Sequence, residues 1–356
     1  MEKRERAHLS SEIKGVLKNV SRTLYLSVNI LPEPVRSAMG MGYLLCRVMD
    51  TVVDSPAIGT SEKRELLALM RGFHKPANSG AAVDKARALV HSAANQGERE
   101  LLLKFGKIAA LYSRFPEHEK ELFSDLVDAV AAGMEMDLKF FPGGAPAALP
   151  AEADLERYCA LIGGAPGVFW ARLYREAIRR STRAVSNFPS ERDAEMIGSA
   201  LQMTNILKDM AADLRIGRCY IPQTDLDTRN MKPAELLDPA NMPRLRDITV
   251  KWTAWAVDRL DQSEAFMAAI PKTELALRAA VIWPVYWAMD SLEQVMNSNL
   301  LDPAARPKIR RSRVYSTIAA TPPLLLSNTA FARGYRFRRE TLIVSMNRGD
   351  FEGRAV

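Results

Sequence analysis

A polar face on one predicted helix carries residues whose oxygens could bind a metal ion. From Gly198 to Pro222 apolar residues recur at helical spacing, and the run Ile216-Gly217-Arg218 provides a stop signal. At 3.6 residues per turn, one face presents four polar side chains about a turn apart: Gln202, Asn205, Asp209 and Asp213. Two amides and two carboxylates make a poor core face and a good site for a cation.

A second aspartate pair with the same i, i+4 spacing lies far away in the sequence. Asp50 and Asp54 follow Tyr43 and Arg47 on one face of a predicted helix that is otherwise strongly apolar. An ordinary surface pair of Arg47 with Asp50, worth roughly 0.2–0.5 kcal/mol, is one interpretation. The apolar surroundings favour the other, because carboxylates on a helix that is buried on most sides need a partner or a metal.

Together the two acidic helices predict a cage for Mg²⁺ and a diphosphate. Mg²⁺ takes one or two carboxylates and completes its shell with water and substrate phosphate. Arg47, Lys208 and Arg218 would complement the remaining phosphate charge. A pocket otherwise lined by apolar and aromatic residues suits isoprenoid diphosphates. The metal draws electrons toward the leaving diphosphate, and a dry interior tolerates the carbocation.

The rest of the chain predicts an all-α protein. Its 356 residues, 47% hydrophobic and 26% charged, suit a globular protein with a sizeable core. No run alternates like a strand and no Gly/Ser-rich linker divides the chain, so we expect a single large domain. Helical periodicity covers ten segments: 11–30, 35–54, 61–73, 82–94, 97–113, 117–140, 152–179, 190–216, 242–269 and 272–299.

The cysteine content and the distribution of charge indicate which cellular compartment and which partners to expect. Cys46, Cys159 and Cys219 show neither metal-site nor disulfide spacing, and the polar start of the chain lacks a signal peptide. We therefore expect a cytoplasmic protein. We also expect a monomer. The formal net charge of +7 arises from Leu301 onward, where ten arginines and one lysine face two aspartates and two glutamates. Residues 1–300 carry no net charge and contain no recognised nucleic-acid-binding motif, so a nucleic-acid partner is not expected.

The basic end predicts a boundary near residue 315, with a catalytic domain over 1–315 and a tail over 316–356. The stretch from Tyr315 to Phe331 is moderately apolar and flanked by arginine, but it falls short of the roughly 20 apolar residues that span a bilayer. It could rest on an anionic membrane surface as a peripheral contact. A packed or solvated tail is the alternative.

A glycine-rich run begins at Tyr158. Residues 158–167 read YCALIGGAPG, and three glycines with a proline weaken a helix considerably. One interpretation is close helix packing or a loop between two helices. The other is a helix thinned so that a long apolar ligand can lie against it, with Tyr158 offering a hydroxyl or a ring face to a cation.

Several ordered motifs resemble the squalene/phytoene synthase family, the head-to-head prenyl synthases. The family implies a helical isoprenoid synthase fold with a central apolar tunnel. The KIRR motif favours the squalene synthase branch, whereas GMEMDL is closer to bacterial and plastid members. The matching stretches, over roughly residues 15 to 315, are SRTLY, YLLCRVMDTVVD, GMEMDL, YCALIGGAPG, LQMTNILKDMAAD with GRCYIP, and KIRR.

The resemblance implies a role for each matching residue. Tyr158 corresponds to a tyrosine near the reacting carbons, where a proton shuttle or cation-stabilising role is expected. The implied metal ligands are Asp50, Asp54, Asn205, Asp209 and Asp213. The implied diphosphate contacts are Ser21, Arg22, Tyr43, Arg47, Gln202, Lys208 and Arg218. The implied cofactor contacts, on a basic flap associated with reduction by NADPH, are Lys308, Arg310 and Arg311.

The reaction implied by the resemblance joins two farnesyl diphosphates head to head with the help of Mg²⁺. One diphosphate leaves, the double bond of the second substrate attacks the allylic cation, and presqualene diphosphate forms. Ionisation, rearrangement and a hydride from NADPH then give squalene. Without the hydride the same scaffold would give dehydrosqualene, or phytoene from geranylgeranyl diphosphate. A non-catalytic homologue that acts in assembly or lipid binding is a rival of another class, which the four retained aspartates disfavour.

The chain also departs from the family pattern. Val53, Ser55 and Ala212 replace residues that are usually acidic, and Lys208 stands where arginine is common, so a point charge replaces a bidentate fork. Ala165-Pro166 is unusual within the glycine-rich run. These departures predict a changed cation affinity or number of bound ions and a changed tunnel width, with the function retained.

Overall fold

The computed structural model describes residues 7–21, 23–73, 75–180 and 188–348. The chain divides into two compact units, which we call unit 1 (residues 1–138 and 169–186) and unit 2 (residues 139–168 and 187–356). Both are built almost entirely from helices, so the predicted all-α class is confirmed. No helix in the described ranges is both long enough and apolar enough to cross a membrane.

Unit 1 is organised around one nearly buried helix. Of the nineteen residues of Val35–Val53, thirteen are buried, which confirms that this acidic helix is surrounded on most sides. One predicted helix is displaced, because Pro76 favours a first-turn position and the helix begins there instead of at residue 82. The helices are α1 (Ser11–Ser21), α2 (Thr23–Asn29), α3 (Val35–Val53), α4 (Thr60–Arg71), α5 (Pro76–Ala88), α6 (Gln96–Tyr112) and α7 (Glu117–Phe140), with a 3₁₀ turn at Val90–Ser92.

Unit 2 contains α10, the longest helix of the described residues, and the helices near the C-terminus. Its elements are β1 (Ala147–Leu149), α8 (Glu152–Cys159), a π-helical turn (Ala160–Gly164), α9 (Ala165–Arg180, which continues into unit 1), α10 (Glu191–Arg215), β2 (Arg218–Pro222), α11 (Gln223–Asp227), α12 (Met242–Leu260), α13 (Ser263–Ala268), α14 (Leu275–Met296), α15 (Arg311–Ala319), α16 (Thr321–Leu326) and α17 (Asn328–Asn347). Two 3₁₀ turns, Pro233–Leu237 and Pro239–Asn241, precede α12.

Two short strands appear where the sequence showed no strand pattern. β1 pairs with β2 in parallel, with Ala147 opposite Arg218 and Ala148 opposite Cys219. Strands of three and five residues are too short to display an alternation. The predicted stop of α10 is confirmed: the helix ends at Arg215, and Gly217 adopts a φ of +86°, a left-handed value that favours glycine, before β2 begins.

The glycine-rich run packs backbone against backbone on α10. A Cβ atom at Gly163 would lie 2.2 Å from the carbonyl oxygen of Gly198, and one at Gly167 would lie 2.1 Å from the carbonyl oxygen of Ala194. Contacts this short leave no room for any side chain at Gly163, Gly167 or Gly198. The close-packing interpretation of the sequence is therefore confirmed, and the π-helical turn is the local form it takes.

Residues 311–347 form helices α15, α16 and α17, which belong to unit 2. α17 packs against α14, with Phe331 and Tyr335 buried and the Tyr286 hydroxyl donating to the carbonyl of Phe331 over 2.7 Å. The aromatic cluster around Pro284 is also core: Trp283 and Trp287 are stacked and buried. Residue 315 lies inside α15, and the domain boundary predicted there stays a prediction.

Replacing Gly163 by alanine tests the contact of the π-helical turn with α10. The added methyl group would collide with main-chain atoms that cannot rotate away, so we expect the free energy of unfolding to fall by about 3 kcal/mol. Urea unfolding followed by circular dichroism measures it. Gly15→Ala in α1 is the control: its Cβ would meet nothing within 4 Å, and removing a helical glycine should stabilise by about 0.5–1 kcal/mol. Equal stability of Gly163→Ala and the parent protein would contradict the packing described here.

Candidate active site

On α3 the predicted polar face is the exposed one. Tyr43, Arg47 and Asp50 are partly exposed and Asp54 is exposed, while the neighbouring Leu44, Leu45, Val48 and Met49 are buried. Asp54 caps the helix, and its N–H donates to the carbonyl of Asp50 over 2.9 Å. The helical period therefore brings both carboxylates of the first pair to one edge of unit 1.

Arg47 is held between two carboxylates. Its Nη1 forms an ion pair with Asp50, and its Nη2 lies 2.7 Å from Oε1 of Glu98 on α6. Burial would lower the pKa of Arg47, but the negative charge of Asp50, with smaller contributions from Tyr43 and Glu98, outweighs it and raises the pKa. The guanidinium is thus fixed and charged beside Asp50, where it can also meet a phosphate.

Two predicted diphosphate contacts direct their hydroxyl hydrogens to the main chain. Ser21 donates to the carbonyl of Leu17 over 2.5 Å, and Tyr43 donates to the carbonyl of Val20 over 2.8 Å. In this arrangement Tyr43 joins α3 to the end of α1, and both side chains shape the neighbourhood of Arg47. Arg22, the third residue predicted in this stretch, lies outside the described residues.

Two of the departures from the family pattern point into the protein. Val53 is 3% exposed, and Ser55 is 5% exposed with its hydroxyl 2.9 Å from that of Ser92. A carboxylate at either position would be buried, away from the exposed face that carries Asp50 and Asp54. Ala212 on α10 differs, because it is exposed. Of the three replacements, that at Ala212 is the one that removes an exposed acid.

α10 presents the second pair in the same way. Gln202, Asp209 and Asp213 are partly exposed and Asn205 is exposed, whereas the adjoining Met203, Ile206, Leu207 and Met210 are buried. Lys208 lies between two of these polar groups: its Nζ donates to Oδ1 of Asn205 over 2.9 Å and lies 3.3 Å from Oδ2 of Asp209. The lysine that replaces the usual arginine therefore balances the charge of its own helix.

Tyr158 meets a second tyrosine. The two hydroxyl oxygens of Tyr158 and Tyr220 lie 3.1 Å apart, and their rings lie 4.8 Å apart between centroids. Both side chains are buried, at 5% and 7% exposure, and Phe141 packs edge-on against Tyr220. β2 carries Tyr220 next to Arg218, which is partly exposed. A pair of hydroxyls in a dry, aromatic setting can orient one another's protons.

The aspartates suit a metal ion whose remaining ligands are water and the phosphate oxygens of a substrate. The four divide between the units, two on α3 and two on α10, and the side chains of Asp50 and Asp209 are 38% and 47% exposed. Across the described ranges no group of three or more Asp, Glu, His or Cys side chains forms a ready-made metal cage. Mg²⁺ does not need one, because it keeps several waters and binds through few carboxylates plus substrate phosphates. The donor chemistry therefore fits Mg²⁺ with a diphosphate.

The basic segment, which we define as residues 308–311, offers three exposed cations. Lys308, Arg310 and Arg311 are all exposed, and none of them forms an ion pair with another described residue. Arg310 is the residue at the N-terminal end of α15, and no side chain caps that helix. These cations can bind phosphate groups of a nucleotide.

Comparison with known proteins identifies the family. The model of the squalene/phytoene synthase family matches residues 17–313, so the chain belongs to that family. Among curated proteins it is 28% identical over 240 residues to a presqualene diphosphate synthase of Zymomonas mobilis, covering 67% of this chain and 68% of that one. It is 24% identical over 286 residues to a chloroplastic phytoene synthase of Zea mays, covering 79% and 57%.

Solved structures support the fold. The complex of TcSQS with the ligand BPH1237 superposes with a TM-score of 0.78 at 19% identity, covering 96% of this chain and 94% of that one. A dehydrosqualene synthase with a bound ligand gives a TM-score of 0.54 at 18% identity, covering 88% and 95%. The chain spans between about two fifths and two thirds of the length of three curated relatives that it matches.

Two neighbours of the predicted residues could not be found from sequence reasoning. Glu98, which binds Arg47, lies 51 residues further along the chain, and Tyr220, which meets Tyr158, lies 62 residues further. Tyr220 stands inside the quoted GRCYIP motif, but nothing in the spacing of that motif links it to Tyr158. Only the folding of α6 onto α3, and of β2 beside α8, brings these pairs together.

Tyr220→Phe tests the hydroxyl pair. The substitution keeps the packed rings and removes one hydrogen bond of about 1 kcal/mol, so we expect turnover of prenyl diphosphates to fall about fivefold with KM unchanged. Steady-state release of diphosphate measures both constants. Tyr112→Phe, at a buried ring in α6 of unit 1, should leave them unaltered. Unchanged turnover in Tyr220→Phe would show that Tyr158 works without its partner.

Proposed function

We propose that the protein condenses two farnesyl diphosphates head to head, through presqualene diphosphate, to squalene, using Mg²⁺ and NADPH. The observation that carries the proposal is the pair of partly or fully exposed aspartates on each of α3 and α10, within a member of the squalene/phytoene synthase family. Two carboxylates one helical turn apart, each with a cation beside them, suit a diphosphate and its metal.

In this proposal the residues of the chain divide the work. Asp50, Asp54, Asp209 and Asp213 hold the ion, with Asn205 in support, and Mg²⁺ when bound supplies electron withdrawal from the leaving diphosphate. The cations that bind the phosphate oxygens are Arg47 beside Asp50, Lys208 beside Asp209, and Arg218 at the start of β2. The hydroxyl of Tyr158, oriented by Tyr220, takes or returns a proton near the reacting carbons.

Reduction is assigned to the basic segment. NADPH supplies a hydride when bound, and Lys308, Arg310 and Arg311 are the residues that would hold its phosphates. Their exposure and their lack of ion-pair partners among the described residues fit this role. The similarity to a presqualene diphosphate synthase favours a second candidate, in which the reaction ends at the cyclopropylcarbinyl diphosphate. Release of dehydrosqualene, or of phytoene from a C20 substrate, remains the other alternative.

Product analysis tests the proposal and its alternatives together. The purified protein is incubated with farnesyl or geranylgeranyl diphosphate and Mg²⁺, with and without NADPH, and the products are identified by gas chromatography and mass spectrometry after phosphatase treatment. Squalene that depends on NADPH supports the proposal. Presqualene alcohol under both conditions supports the second candidate, and dehydrosqualene under both conditions, or phytoene from the C20 substrate, supports the other alternative. No product with either substrate would contradict all three and favour a non-catalytic homologue.

Removing one carboxylate from either pair tests the assignment of the metal ligands. We expect Asp50→Asn and Asp209→Asn each to lower the rate of Mg²⁺-dependent diphosphate release by about 10²–10³-fold, because the amide keeps the shape and loses the charge that binds the ion. Asp84→Asn, at an exposed position of α5, is the matched control and should keep the parent rate. Full activity in either site variant would contradict the proposed ligand set.

Peripheral contact with an anionic membrane is the last part of the proposal. Tyr315 and Leu326 are 65% and 61% exposed on α15 and α16, and the exposed Arg310 and Arg311 precede Tyr315 by about one helical turn. Exposed apolar groups beside cations suit the surface of an anionic bilayer. The substrate and the hydrocarbon product are lipophilic, which is consistent with such a surface.

Flotation with vesicles measures this contact. With vesicles containing phosphatidylserine, Tyr315→Ser with Leu326→Ser should lower the bound fraction severalfold, since about 1–2 kcal/mol of apolar burial is lost per residue. Leu103→Ser, at a 49% exposed leucine of α6, should not change it. Substitution is preferred to truncation here, because α17 is part of the core of unit 2. Equal binding by the double variant and the parent would exclude this surface as the contact.

A further inference from the structure

A buried carboxylate on α14 joins the C-terminal helices of unit 2. Asp290 is 4% exposed, and its two oxygens accept hydrogen bonds from Nε and Nη2 of Arg313 on α15, both over 2.8 Å. Nε of Arg338, on α17, lies 3.2 Å from the same carboxylate without hydrogen-bond geometry. One negative charge is thus shared by cations from two different helices, and the bidentate fork makes the pair with Arg313 directional.

α17 is fastened to α14 beside this carboxylate. The guanidinium of Arg338 lies 4.0 Å from the ring centroid of Tyr286, one turn before Asp290, and its Nη1 donates to the carbonyl of Gly334 over 3.0 Å. A Cβ at Gly334 would lie 2.5 Å from the Tyr286 hydroxyl oxygen, so the two helices are in close contact there. Arg338 therefore contacts α14 through the ring of Tyr286, and Asp290 is its acidic partner.

The connection reaches the basic segment through the main chain. The N–H of Arg313 donates to the carbonyl of Arg310 over 2.9 Å, and that of Val314 donates to the same carbonyl over 3.2 Å. Arg310 also lines a cleft of about 550 Å³ whose other walls come from α14, α15 and α17, including Asp290, Arg313 and Arg338. Asp290 thus binds the side chain of Arg313, and the main-chain N–H of Arg313 binds the carbonyl of Arg310. Lys308 and Arg311 lie next to Arg310 in the same segment.

We propose that Asp290 is a positioning residue for the basic segment. By binding Arg313 and Arg338 it fixes α15 and α17 around the cleft, and the first turn of α15 in turn fixes the main chain at Arg310. The segment has no ion pairs of its own with described residues, and the main-chain hydrogen bonds from Arg313 and Val314 to Arg310 attach it to the first turn of α15. Its consequence for the cofactor rests on the proposed binding of NADPH by Lys308, Arg310 and Arg311. The C-terminal helices are then part of the reductive machinery.

The test uses Asp290→Asn in the full-length protein. The asparagine keeps the shape and loses the charge that holds Arg313 and Arg338. We expect amide hydrogen exchange in 311–319 and 328–347 to become about tenfold faster, while peptides of α10 keep their exchange rates. The affinity for NADPH, measured by isothermal titration calorimetry, should weaken about tenfold. Diphosphate release from farnesyl diphosphate without NADPH should change less than twofold.

Glu340→Gln is the matched control. Glu340 is exposed on α17, forms no ion pair with any described residue and does not line the cleft. Its neutralisation should leave both exchange and NADPH affinity at the parent values. Arg313→Lys provides a second variant if Asp290→Asn folds poorly: it keeps the charge, loses the bidentate fork, and should produce a smaller change in the same direction.

The outcomes separate this inference from the proposed function. If amide hydrogen exchange in α15 stays at the parent rate in both Asp290→Asn and Arg313→Lys, the positioning role is overturned, whatever the affinity for NADPH. Faster exchange with unchanged NADPH affinity would overturn the link to the cofactor. If the parent protein binds no NADPH while exchange responds as expected, the positioning role stands and the reductive part of the proposed function fails.

Discussion

The contact on which unit 2 depends is the main chain of the π-helical turn lying against the main chain of α10. Gly163 and Gly198 approach so closely that neither can carry a side chain. This fixes the register of α8 and α9 on α10, because a shift of either helix would place a side chain in the contact. Tyr158 at the end of α8, and the polar face of α10, are consequently built on one rigid element.

Each acidic helix also carries the cation that balances it. Arg47 stands one turn before Asp50 on α3, and Lys208 stands beside Asp209 on α10. The two carboxylates of each pair would otherwise repel one another. In the proposed function the same cations bind phosphate oxygens of the substrate, so one arrangement would serve both stability and binding. Glu98 holds Arg47 from a second helix and limits how far it can turn.

The helices and the polar faces could be predicted from the sequence, because both follow from a local period. The burial of α3 and the exposure of Asp50, Asp54, Asp209 and Asp213 agree with that period. The partners could not be predicted in the same way. Glu98, Tyr220 and Asp290 meet their partners across many residues, and the signal for such pairs lies in the packing of whole elements. The short parallel strands were missed for a related reason, since three residues are too few for a pattern.

The role of the glycine-rich run was the point at which the sequence left two interpretations open. Its composition is compatible with a ligand-lining helix or with close packing. The distance to α10 shows the close packing, and the ligand-lining role stays a prediction. For the residues implied by family resemblance other than Arg22, the structure gives the positions, while the roles are proposals. Their chemistry is consistent with those roles: exposed carboxylates in pairs, cations beside them, and a hydroxyl pair in a dry site.

The central claim is that the two aspartate pairs hold a metal through a diphosphate. A crystal structure of the protein with Mn²⁺ and a non-hydrolysable farnesyl thiodiphosphate, with anomalous scattering recorded at the manganese edge, tests it most directly. We predict manganese peaks about 2.0–2.2 Å from carboxylate oxygens of Asp50 or Asp54 and of Asp209 or Asp213, with diphosphate oxygens and water completing each shell. A diphosphate bound without manganese at these carboxylates, or manganese bound elsewhere, would contradict it.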